Sequence, residues 1–126
     1  MDASAILEVL LQTPAARRVS RVLFAPSQTL HVPHLLDLEI AQVLRRYVRS
    51  ASISAERGAE ALADFLDLPL TRYPHFVLLP RVWQMRHNLT AYDSAYLALA
   101  EALDAPLLTR DRALARTGSR ARVELL

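Results

Sequence analysis

Short apolar runs closed by turn-forming residues alternate with longer stretches whose apolar residues recur at helical spacing, and this alternation leaves few architectures open. Leu30-His31-Val32-Pro33 is short, partly β-branched and bounded by turn formers, so it reads as a strand. Leu107-Leu108-Thr109 follows the turn Asp104-Ala105-Pro106 and reads as a brief buried strand. Between residues 68 and 79 the pattern is broken by Pro69 and Pro74, and a further strand is expected near Leu68–Thr71. Arg122–Leu125 is a candidate last strand. Strands interleaved with helices imply an α/β sandwich, with helices flanking a short, mostly parallel sheet. At 126 residues the chain is expected to be a single domain, 1–126, with one core.

Helices fill the intervals. Ala5–Leu11 has no breakers and reads as a short buried helix. Thr13-Pro14 has the form of an N-cap followed by proline at the first helical position, opening a helix through about Phe24. From His34 to Arg49 the residues Leu36, Ile40, Val43, Leu44 and Tyr47 form one stripe. Ser54 starts a helix to about Asp67, with Ala55, Ala59, Leu62 and Leu66 expected inward. A helix over Pro80–His87 follows, and Trp83 with Val82 and Met85 is expected to anchor the core. Thr90 caps an alanine-rich helix to about Leu103, with Tyr92, Tyr96 and Leu99 stacked along it. A final helix is expected over roughly 111–117.

Several function classes drop out. With only Gly58 and Gly118, no glycine-rich phosphate loop or dinucleotide fingerprint exists. The absence of cysteine removes disulfides and thiolate metal sites and fits a cytoplasmic protein. No apolar run approaches a membrane span, and no secretory signal is expected at the start. His31 and His34 are separated by Pro33, which argues against a helical metal pair. Ser4, Ser20 and Ser94 lack a nucleophile-elbow context. A phosphoacceptor receiver domain would need a lysine near the end of its sheet, and all fifteen basic residues are arginine. The net charge of +2 does not announce nucleic-acid binding, although residues 110–126 carry five arginines against Asp111 and Glu124. Arg45, Arg46 and Arg110 are candidates for contact with phosphate, since arginine offers planar, bidentate donors.

Four carboxylates sit badly for solvation. Asp2 directly precedes an apolar helix, Glu39 borders the stripe of Leu36 and Val43, Asp93 lies in the first turn of the alanine-rich helix, and Asp111 follows the strand 107–109 at its carboxyl end. Ligands of open α/β sheets gather at such strand ends. Taken singly, Asp2, Asp93 and Asp111 also read as helix-start acids and Glu39 as an ion-pair partner of Arg46 or another arginine. Spacing alone does not bring the four together. If they converge, their mutual repulsion needs a compensating cation, and hard oxygen ligands without cysteine select Mg²⁺ or Mn²⁺.

The ordered set Asp2-Ala3-Ser4-Ala5, Leu38-Glu39-Ile40-Ala41-Gln42-Val43-Leu44-Arg45-Arg46, Leu89-Thr90-Ala91-Tyr92-Asp93-Ser94-Ala95-Tyr96-Leu97-Ala98-Leu99-Ala100 and Leu107-Leu108-Thr109-Arg110-Asp111 resembles PIN-domain ribonucleases, especially the toxins of VapBC toxin–antitoxin systems. The resemblance spans almost the whole chain. It implies that Asp2, Glu39, Asp93 and Asp111 form one Mg²⁺ or Mn²⁺ site for hydrolysis of RNA, with Ser4 and Thr109 as supporting hydroxyls. It further implies a small antitoxin as partner and a homodimer. In that family an apolar strand, central in the sheet, precedes the first aspartate, whereas here only Met1 does, so the first strand is expected to be truncated. A PIN-like module that has lost catalysis and binds RNA or protein is the alternative reading.

Overall fold

In the computed structural model, which describes residues 1–115 and 119–126, the elements run in the order α1 (Ala3–Leu10), α2 (Ala16–Leu23), β1 (Leu30–Pro33), α3 (Leu35–Arg49), α4 (Ala55–Leu66), β2 (Leu70–Tyr73), a 3-10 turn (Phe76–Leu78), α5 (Leu79–Gln84), α6 (Ala91–Leu103), β3 (Leu107–Thr109), α7 (Arg112–Ala115) and β4 (Val123–Leu125). Both strand pairs are parallel, as the alternation with helices predicts. Leu30 lies opposite Leu70 in one pair, and Leu107 lies opposite Val123 in the other.

The sheet is split. Among the described residues, β1 and β2 form one two-stranded sheet and β3 and β4 another. Asp2 is extended, with φ −106° and ψ 177°, and its N–H donates to the Leu108 carbonyl at 3.3 Å, so a single ladder rung flanks β3. A cavity of about 180 Å³, bounded by Met1, Leu30, His31 and Leu108 with α6 beside them, touches both half-sheets.

Helix α6 joins the halves. Every residue from Ser94 to Ala100 is buried, and the helix packs on β1, β3 and α5. A helix apolar on all sides belongs at the centre of a layered fold. Thr90 Oγ1 accepts from the Asp93 N–H at 3.1 Å and fixes where α6 starts. The core also buries Val19, Leu23, Leu36, Ile40, Phe65 and Leu107, each large side chain contributing about 1.5–3 kcal/mol on transfer from water.

Several sequence expectations are corrected. On α4 the buried face is Gly58, Ala61 and Phe65, whereas Ala55, Ala59, Leu62 and Leu66 are exposed. A Cβ on Gly58 would stand 2.7 Å from a Val48 methyl, so the close approach of α3 turns that face inward. Trp83 is 67% exposed, because the short α5 buries Val82 and Met85, three apart on the opposite side. Tyr92 and Tyr47 also face outward. Thr13 does not cap α2. Its hydroxyl turns back to the Glu8 carbonyl, Gln12 takes φ 54°, and the helix starts at Ala16. Strand β2 lies two residues later than expected, beyond the restricted Pro69. Helix α7 begins one residue later than expected, and residues 116 and 117 of the expected helix lie outside the described residues.

One ion pair ties α5 to α6. The Arg81 guanidinium donates to both oxygens of the partly buried Glu101 carboxylate, at 2.6 and 3.1 Å, and Ser119 Oγ and the Arg120 N–H add bonds of 2.6 and 3.0 Å. Arg81 first, then these donors, hold the Glu101 carboxyl at about 2 instead of its ordinary 4.5. A carboxyl depressed on folding stabilises fully above its unfolded value, and the contribution is lost as pH falls from about 4.5 towards 2. Glu101→Gln should therefore cost about 2 kcal/mol at neutral pH, after allowance for solvent screening, and the gap should narrow steadily in urea melts as pH falls from about 4.5 towards 2.

Candidate active site

The carboxyl end of β3, the start of α1 and the facing sides of α3 and α6 supply the side chains of one acidic corner. Asp2 is only 8% exposed, and its side chain does not cap α1. Ser4 Oγ donates to Oδ1 at 2.7 Å, and the fully buried Thr109 hydroxyl donates to Oδ2 at 2.7 Å. Both hydroxyls also accept from the loop beyond β3, Ser4 from the Arg110 N–H and Thr109 from the Asp111 N–H, each at 2.9 Å. The start of the chain and the end of β3 are thereby clasped through Ser4 and Thr109, the two hydroxyls that the family resemblance implies as supporting residues.

Glu39 comes from the second turn of α3 and accepts a hydrogen bond from the Tyr96 hydroxyl. Burial raises its pKa first, the Tyr96 bond opposes that rise, and the negative charges of Asp2 and Asp93 add to it. Asp93, in the first turn of α6, is raised first by burial and then by Asp111 and Asp2. The Tyr96 phenol is pushed up by burial and by Glu39, so it remains a donor. These mutual effects mean that the four acids share one electrostatic environment although 109 positions separate the first from the last. Asp111 also accepts from the Ala113 N–H at 2.9 Å, so it serves the start of α7 as well.

None of the four carboxylates is in an ion pair among the described residues. Nor do three acidic or imidazole groups among those residues stand close enough to enclose an ion by themselves. The acids form an openly spaced set of hard oxygen donors that repel one another. That chemistry fits a divalent cation carrying water or phosphate oxygens in its remaining positions. The arginines gather less. Arg45 lines the groove between α3 and α4, Arg46 is exposed, and Arg110 is held by Glu8 at 3.6 Å and by the Leu126 carbonyl.

Tyr96 is the site residue that sequence reading missed, because it reads as one more core aromatic. Its place three residues beyond Asp93, on the same helical face, is the signal that marks it.

The family model described as "PIN domain" matches residues 1–119. The chain is 45% identical over 118 residues to the protein named VapC ribonuclease Mb0985 of Mycobacterium bovis, covering 94% of this chain and 89% of that one. It is 46% identical over 116 residues to Ribonuclease VapC1 of Mycobacterium tuberculosis, covering 91% and 86%. Over 127 aligned positions it is 39% identical to Ribonuclease VapC12 of the same species, covering 100% and 97%.

Proposed function

Since this chain belongs to the PIN-domain family and, within it, to the VapC ribonucleases, we propose that it is a metal-dependent endoribonuclease, the toxin of a toxin–antitoxin pair acting in the cytoplasm. The carrying observation is the acidic corner, where Asp2 is locked by Ser4 and Thr109 while Glu39 and Asp93 feel the charge of their acidic neighbours.

Asp2, Glu39, Asp93 and Asp111 would hold Mg²⁺ or Mn²⁺ directly or through water. Such an ion, when bound, lowers the pKa of the attacking water and offsets the charge that develops on the phosphate. Ser4 and Thr109 keep the Asp2 carboxylate in one orientation, and Tyr96 does the same for Glu39. Glu39, which takes up a proton more readily than an ordinary carboxylate, is assigned to orient the water. Hydrolysis forms one bond from the water oxygen to phosphorus and breaks one phosphodiester P–O bond. We assign RNA-phosphate contact to Arg45, Arg46 and Arg110 at the periphery.

A small antitoxin and a second copy of the chain are the proposed protein partners. Phe76, Val77, Leu79 and Trp83 are each more than half exposed around the start of α5, and this is the surface we assign to the second copy. No described helix is long and apolar enough to cross a membrane.

Purified protein should cleave single-stranded or loop RNA with Mg²⁺ or Mn²⁺, and EDTA should stop it. RNA binding without cleavage under those conditions would favour the inactive module instead. The open spacing of the acids is the observation on that side.

A further inference from the structure

Two helices carry the same pattern, Arg-Arg-x-x-Arg, as Arg17-Arg18-Val19-Ser20-Arg21 on α2 and Arg45-Arg46-Tyr47-Val48-Arg49 on α3. All six arginines are exposed, and none is in an ion pair among the described residues. All thirteen acidic residues of the chain lie among those described, so these charges have no carboxylate partner in the protein. Helix α2 has no acidic residue of its own. Glu8, the acid within α1 on which α2 packs, is taken up by Arg110 at 3.6 Å and by the Thr13 hydroxyl.

Arg17 and Arg21 stand one turn apart, with about 5–6 Å between their Cβ atoms, and like charges at that spacing destabilise a helix. Arg45 and Arg49 repeat the arrangement on α3. An anion from outside relieves the repulsion. An open hollow of about 430 Å³ between α1 and α2 is walled by Arg17, Arg21, Gln12 and Ser20 over a floor of Val9 and Ala16. That floor offers the two guanidiniums no negative charge. None of residues 16–23 exposes a large apolar side chain, the kind of anchor that carries a protein interface. Guanidinium groups pair instead with phosphate, often through two parallel hydrogen bonds, and RNA presents phosphates in a row.

We propose that Arg17, Arg18 and Arg21 form a phosphate-binding surface that holds the RNA backbone away from the scissile bond. Val9, at the hollow, lies about 10 Å along α1 from Asp2. An RNA that reaches both extends past the nucleotides at the cut, so long substrates should be held better than short ones. Arg49, with Arg45 and Arg46, supplies the same kind of contact from α3, which also packs on α1. The inference rests on the ribonuclease reading above.

The test is fluorescence anisotropy in EDTA with a single-stranded RNA of about 20 nucleotides, long enough to neutralise several arginines. Arg17→Ala/Arg21→Ala should weaken binding about tenfold and lower the slope of log affinity against log salt by about 1.4, for two phosphate contacts. Arg17→Lys/Arg21→Lys keeps the charge and should keep the slope. With Mg²⁺ or Mn²⁺, kcat/KM of the alanine variant on this RNA should fall towards the value for an RNA of about four nucleotides. Equal affinity and slope in the parent and the alanine variant would overturn the surface while leaving the ribonuclease standing. A variant that loses binding to polyglutamate but not to RNA would also overturn it and assign the face to an acidic protein. No cleavage of either RNA by the parent would overturn the ribonuclease reading, whereas arginine-dependent binding would still support the phosphate surface.

Discussion

Asp93→Asn should reduce RNA cleavage by more than about a hundredfold while the protein still folds. The magnitude follows from the proposed role, because loss of a group that merely orients a metal ligand already costs about 10–100-fold, and Asp93 is proposed as a ligand itself. The fold should survive because the cap of α6 uses the Asp93 backbone N–H on Thr90, and the substitution leaves that bond in place. Asparagine keeps the shape and removes the charge. Since Asp93 is pushed up by burial, Asp111 and Asp2, its neutralisation relieves repulsion, and the metal-free variant should melt no lower than the parent. Cleavage rates on one RNA, with circular dichroism melts beside them, make the check. An Asp93→Asn protein as active as the parent would remove it from the chemistry.

Thr109→Val should damage stability and activity together. The Thr109 hydroxyl is fully buried, donates to Asp2 and accepts from the Asp111 N–H. Valine fills nearly the same volume but leaves a carboxylate oxygen and a backbone N–H without that partner. Two lost bonds, one of them to a charged group, should cost about 2 kcal/mol. Asp2 would then rest on Ser4 alone, and activity should fall about 10–100-fold. Thr109→Ser retains the hydroxyl and should recover most of the activity despite a smaller side chain. Urea midpoints and cleavage rates for the two variants separate the hydroxyl from the packing. Equal activity in Thr109→Val and Thr109→Ser would mean that the clasp does not position Asp2.

What the sequence made legible was local. Strands β1 and β3 stand out because turn residues close them, and α6 stands out because Thr90 starts it and alanines continue it. The inward face of α4 was not legible, since two apolar stripes share that helix and only the approach of Val48 to Gly58 selects one. The same holds for Trp83, whose size suggests the core although α5 is too short to bury more than one side. In the acidic corner, each residue is ambiguous by itself, and their shared electrostatics depends on the split parallel sheet bringing α1 to the end of β3. Ordered motifs pointed to the four acids, Ser4 and Thr109. The Tyr96–Glu39 and Arg81–Glu101 pairs join distant segments, and no spacing rule reaches them.

If Asp2, Glu39, Asp93 and Asp111 act as one divalent-cation site, single variants of them should each alter the metal-induced rise in melting temperature. A cation that binds only the folded chain stabilises it by about 2.7 kcal/mol at a hundredfold excess over its Kd, on the order of 10 °C for a domain of this size. The parent should show that rise with Mn²⁺ or Mg²⁺ beyond any effect of NaCl at matched ionic strength. Asp2→Asn, Asp93→Asn and Asp111→Asn should each shrink it, and the exposed control Glu60→Gln should leave it intact. The same metal response in all four variants would contradict the shared site and remove the physical basis of the nuclease reading.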